Sequence, residues 1–92
     1  MNLEERLGKL VASYEDRMPS SAIGAARNDI GYGEYGLAFE NFCEHLFDSS
    51  LELSQHDFAQ IAELAEIMSI PERRWQFLSS RVVPGRMGDE SE

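Results

Sequence analysis

The chain has 92 residues, with 17 acids against 8 bases and a formal net charge of −9. That length holds one domain at most, enough for a core but not for a core plus a deep, lidded cleft. The acidity argues against nucleic acid or an anionic membrane surface as the main ligand, because phosphates would be repelled.

A single cysteine, Cys43, rules out an intramolecular disulfide and cannot build a thiolate metal site alone. It fits a reducing, cytoplasmic setting. The opening MNLEERLGKL is charged and amphipathic, without the apolar centre of a signal peptide. No run approaches membrane-spanning length.

The first predicted helix runs from Asn2 to about Tyr14. Asn2 is a capping residue, and Glu5 stands where a capping-box acid reaches back. Leu3, Leu7, Leu10, Val11 and Tyr14 form its apolar stripe. Gly8 either permits close approach of another helix or is simply tolerated at a cost of roughly 1 kcal/mol. Met18–Pro19 disfavours helix, and Ser20 or Ser21 is placed to cap a short second helix over Ala22–Ile30. Gly31 and Gly33 close it.

The third helix, from Glu34 or Tyr35 to Asp48, is the most strongly amphipathic. Tyr35, Ala38, Phe39, Phe42, Cys43 and Leu46 share one side. Glu40, Glu44 and Asp48 form an acidic row on the other, with Leu37 beside them. Ser49–Leu53 reads as a connector. Ser54 caps a fourth helix, Gln55–Ser69, with Asp57 three residues on. Pro71 suits the first turn of a fifth helix carrying Trp75, Leu78 and Val82 inward. Leu51–Leu53 and Arg81–Val83 are too short to be confident strands. Residues 84–92 have no core-forming pattern and are expected to be a mobile acidic tail. The expectation is an all-α domain over residues 1–83, a compact bundle of four to five short helices. Its core should hold Tyr35, Phe39, Phe42, Leu46, Phe58, Ile61 and Trp75 together.

Catalytic signals are weak. Cys43 lies on the apolar side, where a buried, inert thiol is the expected reading. His45, two residues on, points elsewhere on the helix, so the two make no dyad. His56 reads as exposed. No Glu-x-x-His pair supports a bundle metal site, so neither metal nor cofactor is expected. Gly31, Gly33 and Gly36 spell a dinucleotide pattern, but no strand precedes them and a helix–helix turn is the better reading. Arg73–Arg74 is too small for a nucleic-acid footprint.

The acidic row is the one surface feature with a functional reading. Like charges at i, i+4 destabilise a helix by roughly 0.2–0.5 kcal/mol per pair. No basic residue inside the third helix relieves them. With Glu34 and Glu52 as flanks, the set Glu34, Leu37, Glu40, Glu44, Asp48 and Glu52 is the candidate surface for a basic protein partner.

The run Gly33-Glu34-Tyr35-Gly36-Leu37-Ala38-Phe39-Glu40-Asn41-Phe42-Cys43 resembles the central segment of the MafI-family immunity proteins, small bacterial antitoxins of polymorphic toxin systems. There the pattern is roughly Gly-Glu-x-Gly-x-Ala-Leu-Glu-x-Leu-Cys. Gly33, Glu34, Gly36, Ala38, Glu40 and Cys43 match it, and Phe39 and Phe42 replace leucines. A connector, a helix like Ser54–Met68 and an aromatic-bearing final helix extend the likeness from about Asn2 to Leu78. The resemblance implies a non-enzymatic immunity protein that binds and neutralises a cognate toxin domain. Such toxins are often nucleases, ribonucleases among them, with basic substrate grooves that an acidic inhibitor would match. Two other classes stay open: a helical interaction or regulatory module with no toxin partner, and a small metal-dependent or thiol enzyme.

Overall fold

Asn2 starts the first helix as its side chain predicts. Its Oδ1 accepts the Glu5 amide at 2.8 Å while the Glu5 carboxylate takes the Asn2 amide at 3.4 Å. This reciprocal pair satisfies two backbone donors that a helix start leaves orphaned. The computed structural model describes residues 2–83, so the expected tail at 84–92 lies outside the described residues. Helix α1 spans Leu3–Ala12 and buries Leu7, Leu10 and Val11. It ends two residues before the predicted Tyr14, but the turn that follows still carries the Tyr14 ring fully inward. A Cβ added at Gly8 would meet nothing within 4 Å, so this glycine serves no close helix approach.

Helix α2, Ser20–Gly31, begins without either expected serine cap. Ser20 and Ser21 lie inside its first turn, and Pro19 takes the capping position. The Pro19 carbonyl accepts the amides of Ala22 and Ile23 at 3.0 and 3.2 Å. Helix α3 spans Tyr35–Asp48, and α4 spans Gln55–Ile67 with the Ser54 hydroxyl accepting the Asp57 amide at 3.0 Å.

Three helices stop in the same way. After α2, α3 and α4 the chain turns left-handed at Gly33 (φ +78°), Ser50 (φ +54°) and Ser69 (φ +59°). In each case the next amide reaches back over the end: Glu34 to Asp29, Leu51 to Leu46, and Ile70 to Ala65, at 2.8, 3.4 and 2.8 Å. These are Schellman closures. Gly31, expected to close α2, is its last helical residue, and the reversal falls on Gly33 alone.

The fifth helix is not α-helical. Two 3-10 segments replace it, Glu72–Arg74 and Gln76–Arg81. Trp75 separates them with φ −142°, outside the helical range. Past the second segment, the Leu53 amide donates to the Arg81 carbonyl at 2.8 Å and the Val83 amide donates to the Leu53 carbonyl at 2.9 Å. The two runs judged too short for strands thus pair as one isolated parallel bridge. The described residues form an all-α globule: four α-helices and two 3-10 segments, with no extended strand. No helix among them is long and apolar enough to cross a membrane.

The core runs through all four α-helices and the second 3-10 segment. Phe39, Phe42, Leu46 and Ile61 are fully buried as expected. Tyr35, Phe58 and Trp75 instead pack half-buried at its margin, with the Phe58 and Trp75 rings 5.5 Å apart. Leu78 is buried as predicted, whereas Val82 is only half-buried. Leu53, in the connector, and Met18 join the core without a periodicity to announce them.

Tyr14 is the polar tie of this core. Its ring meets Phe42 edge to face at 5.7 Å, its hydroxyl donates to Asp57 Oδ2 at 2.6 Å, and the Arg17 guanidinium stands 4.1 Å over it. Burial first, then the Asp57 hydrogen bond and charge, push the phenol well above its usual pKa. A raised folded-state value means that this contribution to stability is complete below about pH 10, the unfolded tyrosine value, and is lost as the pH climbs further. Tyr14→Phe is expected to cost about 1–2 kcal/mol at neutral pH, because half-buried Asp57 recovers part of its hydration. Urea melts of the variant should also lose less stability than the parent above pH 10. An unchanged alkaline profile would show that the phenol does not carry it.

Candidate partner-binding surface

The buried stripe of α3 turns its other side outward, because a 3.6-residue repeat places Ala38, Phe39, Phe42 and Leu46 on one face and their neighbours on the other. Glu34 is exposed just before the helix and makes no side-chain cap. Leu37 follows, 50% exposed. Glu44 and Asp48 are exposed one turn apart, and exposed Glu52 lies on the connector. From Glu34 to Asp48 the surface extends about 21 Å at the helical rise.

Glu40 departs from the expected row. It is half-buried, and Arg74 of the first 3-10 segment approaches its carboxylate at 3.8 Å. The row is therefore relieved at one position by a base 34 residues away in sequence. Glu44 and Asp48 keep no ion-pair partner among the described residues. Arg74 could not be found from the helix's own sequence, which holds no base.

Four other cations are similarly occupied. Arg6 pairs with Glu63 at 3.2 Å and Arg27 with Glu15 at 2.7 Å. Arg17 and Arg81 stand over the rings of Tyr14 and Phe47. Internal contacts thus engage most of the few positive charges in the described residues, which leaves the exposed field acidic.

Sequence reasoning passed over Phe47 and Phe77. The two rings meet edge to face with centroids 5.3 Å apart, and together with Glu44 and Asp48 they line one open groove. Phe47 falls between the faces of α3, so its period assigns it to neither; an aromatic directly beside the acidic row was the available signal.

The remaining candidates separate. Cys43 is fully buried, and burial first, then the nearby Glu40 and Glu44 carboxylates, hold its thiol protonated far above the usual range. His45 is exposed in the last turn of α3. His56 is exposed, with Gln60 at 3.5 Å. No group of three or more His, Cys, Asp or Glu side chains converges as a metal site among the described residues. Of the glycine triplet, Gly31 ends α2, Gly33 makes the turn between the helices and Gly36 lies in the first turn of α3.

No family model, no curated protein and no solved structure matches this chain. The acidic face of α3 with its aromatic groove is therefore characterised by its own chemistry.

Proposed function

We propose that this chain is a cytoplasmic immunity protein that binds and neutralises a cognate secreted toxin domain through the outer face of α3. The observation that carries the reading is the exposed pair Glu44 and Asp48, flanked by Glu34, Leu37 and Glu52, on a chain of net charge −9. Exposed carboxylates without internal partners attract a basic surface, and their field speeds its capture. A nuclease, and a ribonuclease above all, presents such a surface where it grips phosphates. The likeness of residues 33–43 to the MafI-family segment points the same way. The protein acts by occupying the toxin's surface, with no chemistry of its own.

The test is co-purification with the product of the adjacent gene, joined to rescue of toxin-exposed cells. The variant Glu40→Gln, Glu44→Gln, Asp48→Asn should fold, since all three carboxylates reach solvent, and should bind the toxin about tenfold more weakly with a flatter salt dependence. Unchanged affinity and salt dependence would move the contact surface away from α3. Failure of the parent protein to bind or protect would instead favour a helical interaction module without a toxin partner.

A further inference from the structure

The groove beside Glu44 and Asp48 has a more specific chemistry than an acidic surface. Its floor is the edge-to-face pair Phe47 and Phe77, brought together from α3 and the second 3-10 segment, with ring planes at 79°. Its rim carries two exposed carboxylates one helical turn apart, and the space they enclose is about 290 Å³. The chain's own Arg81 stands with its guanidinium carbon 4.2 Å from the Phe47 centroid and donates from Nη2 to the Phe47 carbonyl at 3.0 Å. The two carboxylates outnumber that one positive charge, so the groove keeps a net negative field.

We infer that this groove receives an arginine side chain of the partner. The inference rests on the reading of α3 as a binding face and names the group that the face selects. An aromatic floor attracts a cation by its negative ring face, and carboxylates at the rim accept its N–H donors. Guanidinium satisfies both at once: its plane stacks on a ring while its fork of donors meets carboxylates, whereas an ammonium is a compact, strongly hydrated charge. The Arg81–Phe47 contact is the same geometry realised within the chain. An apolar occupant fits poorly, because it would desolvate Glu44 and Asp48 without replacing their hydrogen bonds.

The experiment is an NMR titration of the full chain with three capped tripeptides, Gly-Arg-Gly, Gly-Lys-Gly and Gly-citrulline-Gly, carried into the millimolar range. Citrulline keeps the shape of arginine without its charge. The arginine peptide should give saturable shifts at Glu44, Phe47, Asp48 and Phe77, the lysine peptide weaker ones, and the citrulline peptide none. The double variant Glu44→Gln, Asp48→Asn, altered only at exposed positions, should bind the arginine peptide about tenfold more weakly. Phe77→Leu should erase the preference for arginine over lysine. Shifts spread evenly over all acidic positions, equal binding of citrulline, or an unaffected double variant would each overturn the assignment. The titration contains no toxin, so the groove can fail while growth rescue succeeds, and the two readings fall separately.

Discussion

Phe42→Ala should destabilise the protein by about 3–5 kcal/mol, the range for removing a buried aromatic ring. Phe42 is 1% exposed and central to the core. Its loss deletes the edge-to-face contact with Tyr14, the ring whose hydroxyl holds Asp57 at the start of α4. Two helix contacts therefore loosen with one truncation. Domains of this kind have a total stability of about 5–15 kcal/mol, so the variant forfeits a large share of it. The expected fall in melting temperature is about 12–40 °C for a chain of this size. Thermal melts followed by circular dichroism measure it directly. A midpoint within a couple of degrees of the parent would exclude Phe42 from the core.

Leu53→Ala should cost about 2–5 kcal/mol, although Leu53 lies in a connector and not in a helix. Its side chain is fully buried. Its backbone makes both bonds of the bridge, donating to Arg81 and accepting from Val83. The substitution leaves those bonds chemically possible but removes the side-chain packing that holds them in place. Hydrogen exchange at the Leu53 and Val83 amides should then accelerate together, ahead of the α1 and α2 amides. Leu37→Ala, on the exposed face, is the control and should stay within about 0.5 kcal/mol of the parent. A Leu53 variant equally mild would mean that the connector merely tolerates its bridge.

These two residues differ in how plainly the chain announces them. Phe42 repeats with Ala38, Phe39 and Leu46 at helical spacing, so its burial follows from α3 alone. Leu53 has no such period. Its burial depends on the C-terminal segment returning alongside the connector, a contact between residues nearly thirty positions apart. The candidate site divides along the same line. Glu44 and Asp48 are readable as an exposed acidic pair from spacing. The relief of Glu40 by Arg74, and the meeting of Phe47 with Phe77, join segments that no local pattern links.

By itself the sequence determined the four α-helices and the faces they bury, because caps and periodicity act within a few residues: Asn2 with Glu5, Ser54 with Asp57, and the apolar stripe of α3. It also determined the stop at Gly33, since glycine enters the left-handed region without a Cβ clash. Tertiary structure alone decided the equivalent stops at Ser50 and Ser69, where an L-residue takes φ > 0 and Leu51 and Ile70 pack against the core beyond. It decided, too, that the segment after Pro71 breaks at Trp75 into 3-10 turns, so that Trp75 meets Phe58, Leu78 enters the core and the chain reaches Leu53. Helical periodicity is equally compatible with an unbroken α-helix there. The packing of distant residues, with an energy that local propensity cannot match, settled the difference.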